Sequence, residues 1–215
     1  MRILNWAQHQ SEAIAAATEC LRQGGLVAFP TDTLYGLGAD IANDSAVTRL
    51  FQAKRRPPDA PIPILISGIQ EARAVAKSMP VLALKLGNMY WPGPLTMVLE
   101  RSPGCHSLAL AGGDSVALRV PDHAIALAVI HGLGRAITGT SANRSGQVAP
   151  RTATDVVRQL EDEVDIVIDG GPCPLGVEST VVDLRGKTPR LLREGAVSRE
   201  ELEGVFGFPL EVAEK

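Results

Sequence analysis

Apolar residues recur at helical spacing between Gln10 and Arg22, at Ala13, Ile14, Ala17, Cys20 and Leu21, and Gly24-Gly25 supplies a stop. The next apolar run, Leu26 to Pro30, has the length of a buried strand. The polar Thr31-Asp32-Thr33 that follows leaves it at its carboxyl end, where α/β sheets collect ligands. The alternation continues along the chain. Helical spacing predicts helices over 45–55, 69–79, 81–89, 124–131 and 153–160. Apolar runs predict strands over 62–67, 95–100, 115–120, 135–138, 165–168, 179–184 and 190–193. Some connections have room for a helix and others only for a turn, so the pattern predicts an α/β fold built on a mixed sheet with flanking helices. Neither an internal repeat nor a low-complexity linker interrupts it. Residues 1–207 read as one domain and 208–215 as a loose C-terminal tail.

Composition narrows the picture. A chain of 215 residues buries a sizeable core, and with apolar residues at 45% but aromatics at 4% that core is aliphatic. A formal net charge of −3 argues against a surface built throughout to neutralise nucleic-acid phosphates, although local basic clusters stay open. Cys20, Cys105 and Cys173 form no CxxC pair, and their odd number suits reduced thiols better than a disulfide framework. The start of the chain lacks a basic, then apolar, leader pattern, and no apolar run reaches membrane-spanning length, so the reading is cytoplasmic, with no membrane partner. His9, His106, His123 and His131 make no HxxxH or HExxH pattern, so no metal ligands are assigned. GxSxG, GxGxxG and GxxxxGK[ST] are missing too, which weakens hydrolase, Rossmann and P-loop readings.

Candidate chemistry lies in four places. In Lys54-Arg55-Arg56-Pro57-Pro58 an expected helix ends in three cations, and prolines forbid its continuation. Such cations complement a helix dipole on an ordinary surface, or, stiffened by the prolines up to Pro63, aim a guanidinium at an anion. Thr138 to Gly146 is a run of small hydroxyl, amide and glycine residues directly after a strand, equally an ordinary turn or a cradle of donors for phosphate oxygens. Arg119 and Arg193 each interrupt an apolar strand. There a guanidinium needs an anionic partner, whether a carboxylate of the chain or a shared polyanionic ligand.

Together, Pro30-Thr-Asp-Thr-Leu-Tyr-Gly-Leu37, Lys54-Arg-Arg-Pro57, Ala117-Leu-Arg-Val-Pro121, Ser141-Ala-Asn-Arg-Ser-Gly146, Glu178-Ser-Thr-Val-Val-Asp183 and Leu192-Arg-Glu-Gly195 resemble, in order and spacing, the YrdC family of threonylcarbamoyl-AMP synthases. The resemblance implies an open, twisted α/β fold with a concave, positively charged cavity. It also implies a reaction in which L-threonine, bicarbonate and ATP give threonylcarbamoyl-AMP and pyrophosphate. It places Lys54, Arg56, Ser141 and Asn143 around the nucleotide phosphates, Lys54 and Arg56 as catalytic residues, with Ser115 and Arg193 also on the nucleotide side. Thr33, Arg119 and Ser179 fall on the threonine side. ATP is then a substrate, accompanied by Mg²⁺ carried largely by its phosphates, with Asp32 and Glu178 as candidate carboxylates.

Four positions depart from the family pattern: Ala60 stands where an Asn is frequent, Leu65 where a histidine faces the amino acid, and Gly139 and Ala149 where relatives carry ligand contacts. The chain resembles the family's short, single-domain form. The implied partners are tRNA threonylcarbamoyl transferase proteins downstream, with tRNA itself as a weak one. Two other readings compete: a non-catalytic RNA-binding module, and a paralogue acting on another carbamoyl or nucleotide substrate. Against the first stand the acidic balance and the want of an aromatic stacking platform.

Overall fold

A computed structural model describes residues 1–212. In chain order the elements are β1 (Arg2–Asn5), α1 (Gln10–Arg22), β2 (Val27–Phe29), β3 (Gly36–Gly38), α2 (Asp44–Lys54), β4 (Ile64–Leu65), α3 (Ile69–Val75), α4 (Val81–Tyr90), β5 (Leu95–Glu100) and β6 (Ser115–Arg119). They continue with α5 (Ala124–Leu133), β7 (Ile137–Thr138), β8 (Thr140–Ser141), α6 (Ala153–Leu160), β9 (Ile166–Asp169), β10 (Thr180–Asp183), β11 (Arg190–Arg193), α7 (Arg199–Phe206) and β12 (Glu211–Val212).

Local chemistry sets the helix ends that matter for the site. Asn43 caps α2 by accepting from the Ala46 N–H. At the other end Arg55 takes a left-handed conformation (φ 50°), and the Arg56 N–H returns to the Phe51 carbonyl. With Pro57 and Pro58 next, the helix cannot continue, and Lys54 is fixed as its last residue. The α6 helix starts with a reciprocal capping box between Thr152 and Asp155. This fixes the exit of the loop that follows β8.

The strands form two mixed sheets rather than the one expected. The first has the order β1-β9-β2-β3-β8 and the second β12-β11-β10-β5-β6-β4-β7. The sheets exchange the chain at Gly139, which separates β7 in one from β8 in the other. Apolar runs announce strands but not their partners, so this change of sheet across a single residue was not readable from the pattern. The bridge between Asp40 and Ile137 ties the sheets again beside that junction. Helices α1 and α5 pack together over the first sheet, through Ala13, Ala17, Leu21, Ala126, Val129 and Ile130. The second sheet buries Leu95, Met97, Leu118 and Val182 against α4 and α7, the latter through Leu202. As the composition requires, the core is aliphatic.

Several strands are shorter than the apolar runs that announced them. The run 62–67 gives only Ile64–Leu65, and 135–138 only Ile137–Thr138. Within the segment expected as a loose tail, Leu210 is buried in the core and Glu211–Val212 pairs in parallel with β11, so order extends past residue 207. Residues 213–215 lie outside the described residues. Among the described residues no helix is long and apolar enough to cross a membrane.

Candidate functional site

A cavity of about 270 Å³ opens in the angle between the two sheets. One wall is Thr31 and Thr33 to Gly36, on the segment that leaves β2 and enters β3, together with Thr140 and Ser141 of β8. The other is Thr96, Arg119, Val181 and Arg193 from the second sheet, and the segment Arg56 to Leu65 closes one side. Three arginines and one carboxylate, Glu178, face this space.

Arg119 is the most constrained of them. Both its side chain and that of Asp32 are shielded from water, and Nη2 of Arg119 donates to Oδ1 of Asp32 at 2.5 Å. Its Nη1 donates to Thr33 Oγ1 at 2.8 Å and its Nε to the Gly93 carbonyl at 3.0 Å. Burial lowers the Arg119 pKa from its ordinary value and the Asp32 charge opposes the shift. The cation is thus matched inside the protein, as a guanidinium in an apolar strand must be. Thr33 is itself held by Thr31, their hydroxyls 2.9 Å apart. Asp32 Oδ1 also accepts from the Asp122 N–H.

On the opposite side Arg56 donates from Nε to the Ala60 carbonyl at 3.0 Å and from Nη2 to the Pro61 carbonyl at 2.8 Å. These bonds strap the guanidinium to the proline-rich segment. Arg193 donates from Nε and Nη2 to the Ser179 carbonyl, from Nη2 to Ser179 Oγ at 3.2 Å, and pairs through Nη1 with Glu178 at 3.0 Å. Ser179 Oγ lies 2.9 Å from Thr96 Oγ1.

Of the nine site residues expected from sequence, Thr33, Arg56, Arg119, Ser141, Ser179 and Arg193 line this one cavity. Lys54 does not. Only 2% exposed, it sits behind Ser141, with its ammonium donating to the carbonyls of Ser141 and Asn143, the latter at 2.7 Å. Desolvation lowers its pKa to about 7, the nearby Arg56 charge adding to the shift and Glu178 opposing it. Asn143 is buried in the same loop and donates to the Gln147 and Arg144 carbonyls. The two residues therefore shape the Ser141 loop from behind instead of meeting the cavity. Ser115 lies outside the cavity, at the start of β6, on the face that it shares by strand alternation with Arg119.

Of the departing positions, Leu65 and Gly139 both line the cavity, and Ala60 supplies the carbonyl that holds Arg56. Thr96 was missed, although a threonine inside the otherwise apolar run 95–99 was a legible signal, and the structure buries it. Asp32 pairs with Arg119 and keeps a buried Oδ2 without a partner, the half-exposed Glu178 pairs with Arg193, and among the described residues no group of three His, Cys, Asp or Glu side chains is arranged to hold an ion.

Residues 19–195, a span that includes every residue of the cavity, match the model of the Sua5/YciO/YrdC family, described as "Telomere recombination". The chain belongs to that family. A threonylcarbamoyl-AMP synthase of Pyrococcus abyssi is 44% identical over 90% of this chain, and one of Bacillus subtilis is 40% identical, also over 90%. The chain spans only 57% and 56% of those curated relatives' lengths. Among solved structures, P. abyssi Sua5 complexed with L-threonine superposes with a TM-score of 0.92 at 40% identity, covering 99% of this chain and 63% of that one. The two-sheet fold is therefore that of the Sua5/YciO/YrdC family, and the cavity lies within its matched span.

Proposed function

We propose that this chain is a nucleotidyltransferase that converts L-threonine, bicarbonate and ATP to threonylcarbamoyl-AMP and pyrophosphate, for the formation of N6-threonylcarbamoyladenosine in tRNA. One observation carries the reading: a single cavity is lined by a buried Arg119 with Thr33 and Ser179, and by Arg56, Ser141 and Arg193, the two groups meeting where Arg193 bonds Ser179. The first group suits an amino acid, whose α-carboxylate takes the N–H groups that Arg119 retains beyond its bonds to Gly93, Thr33 and Asp32, and whose hydroxyl takes small polar partners. The second suits phosphate oxygens, with two guanidinium groups and a loop hydroxyl. The names of the family's curated synthases support the same assignment.

In this reading threonine's nitrogen, carrying a carboxylate taken from bicarbonate, attacks the α-phosphorus through its new oxygen, and pyrophosphate leaves. The chain supplies no nucleophile. Arg119 orients threonine, and Arg56 and Arg193 stabilise charge as it moves onto pyrophosphate, so catalysis rests on positioning and electrostatics. Lys54 acts one step back, holding the Ser141–Asn143 carbonyls and so the hydroxyl that meets phosphate. Mg²⁺ carried by the triphosphate would neutralise phosphate charge beside Arg56 and Arg193. The folded unit, β12 included, acts as one catalytic domain in the cytoplasm, and the adenylate passes to a tRNA threonylcarbamoyl transferase.

Incubation with ATP, bicarbonate and labelled threonine tests this. Release of pyrophosphate and a threonylcarbamoyl adenylate is expected, dependent on both threonine and bicarbonate. Formation of ADP and phosphate, or turnover without threonine, refutes it. Serine is expected to be poorer, since one methyl contact in a pocket contributes about 1–3 kcal/mol.

A further inference from the structure

Carboxylation of threonine has a proton to dispose of. At neutral pH the amino group is an ammonium and has no lone pair to offer, so a base must act before the nitrogen–carbon bond forms. Among the described residues lining the cavity, Glu178 is the one carboxylate, and no histidine, lysine or cysteine joins it. The hydroxyl of Tyr35 is spent on the Gly171 carbonyl at 2.8 Å.

The position of Glu178 matches the task. It directly precedes Ser179 and pairs with Arg193, which itself bonds Ser179, so its carboxylate lies where the amino-acid and phosphate ends of the site meet. The nitrogen that links threonine to the α-phosphorus must lie between those ends. The backbone of Glu178 is held there: its carbonyl accepts from the Ala196 N–H at 2.9 Å, and a Cβ on Gly195 would stand 2.3 Å from that same oxygen. The side chain is half-exposed at the mouth and free to change partner. The charged groups near it are Arg193 on β11, and Arg56 and Lys54 at the end of α2.

We propose that Glu178 is a further catalytic residue of this site: it pairs with the ammonium of the bound amino acid and takes the proton that frees the nitrogen. The proposal rests on the synthase reading above. The ammonium gives one proton to Glu178, and the nitrogen lone pair bonds to the carbon of carbon dioxide while a carbon–oxygen π pair moves onto oxygen. The nitrogen then gives a second proton to bicarbonate, which becomes carbon dioxide and water. The sum is threonine, bicarbonate and a carboxylate going to N-carboxythreonine, water and a carboxylic acid, with charge conserved at −2 on each side by the ordinary charges of these groups.

The test compares binding of L-threonine with 3-hydroxybutyrate, which keeps the carboxylate and hydroxyl but lacks the amine, by calorimetry in the presence of a non-hydrolysable ATP analogue. Wild-type protein is expected to prefer threonine by about 10- to 100-fold, the range of a charge-assisted hydrogen bond, and Glu178→Gln to lose most of that preference. Glu178→Asp, which keeps the charge, should restore part of it, and Glu178→Gln should depress turnover even at saturating threonine. A Glu178→Gln protein that still discriminates like the wild type overturns the proposal, as does one whose only defect is an altered Mg²⁺ or ATP requirement. A wild-type protein that binds the nucleotide but no threonine refutes the synthase reading itself.

Discussion

Arg119 and Asp32 form an ion pair of 2.5 Å in which both side chains are only 8% exposed. Arg119 enters from strand β6 and Asp32 from the turn after β2, so the pair joins the two sheets directly behind the cavity. Desolvating two charges is expensive, and the mutual attraction offsets it only while both partners are present. Asp32→Ala is therefore expected to cost about 3–5 kcal/mol, because it strands the guanidinium. Denaturant unfolding reads the loss, and a cost under about 1 kcal/mol would show that water reaches the site. In protein that remains folded, the same change should raise the threonine requirement, since Asp32 acts by aiming Arg119.

Gly139 and Leu65 form a second coupled pair. The backbone of Gly139 is not in the left-handed region, so an alanine there meets no conformational barrier, only a spatial one. A Cβ on Gly139 would stand 2.6 Å from Leu65 Cγ and 2.8 Å from its Cδ2. Gly139→Ala is expected to cost about 1–3 kcal/mol through overpacking and to narrow the cavity at its junction between sheets. Leu65→Ala alone also destabilises, by removing buried contacts. The double variant should be better than the sum of the two, with a coupling of about 1 kcal/mol or more. Strict additivity in unfolding experiments would mean that the loop moves away instead.

Much of this arrangement was legible beforehand because it depends on side-chain pattern. The run 95–100 and the strand ending at Arg119 appear where alternation and apolar content put them. Arg119 stood out because a cation inside an apolar strand needs an anion. Strand β3 was not legible, since Gly36-Leu37-Gly38 offers one side chain and no alternation. It exists because the chain must pass close to Phe29, whose Cε1 would lie 2.8 Å from a Cβ on Gly38. Helix α7 buries only Leu202, too little for a period to show. The identity of Lys54 was readable, but its direction was not. The basic triplet does not say that helix α2 turns its last residue inward while Arg55, with φ 50°, redirects the chain.

Arg56 should govern nucleotide use and leave threonine nearly alone. Its Nε and Nη2 are held by the carbonyls of Ala60 and Pro61, so its charge faces the cavity with little rotamer freedom left to lose. Arg56→Ala is expected to lower kcat/KM for ATP by about 10- to 100-fold, with the threonine KM within about threefold of wild type. Arg56→Lys should rescue little, because an ammonium cannot grip two carbonyls and still present a planar face. Titrating each substrate at saturating levels of the other separates the outcomes. A change confined to threonine would reverse the two ends of the site.

Lys54 ties the stability of the site to pH. Its ammonium is buried against the carbonyls of Ser141 and Asn143, and desolvation lowers its pKa to about 7 from an ordinary 10.5. Below pH 7 the group is charged in both folded and unfolded chains. Between about 7 and 10.5 the unfolded chain holds a proton that the folded chain has shed, so stability contributed by this residue rises with pH across that window. Lys54→Met removes the titration and the loop tether together. Relative to that variant, the wild type should gain about 1–3 kcal/mol between pH 6 and pH 9, the bonds to the two carbonyls keeping the gain below the full shift. Denaturant midpoints at matched ionic strength give the difference directly. Parallel pH profiles for the two proteins would mean that the carbonyls hold the ammonium charged throughout, making Lys54 a permanent cation beneath the phosphate end of the site.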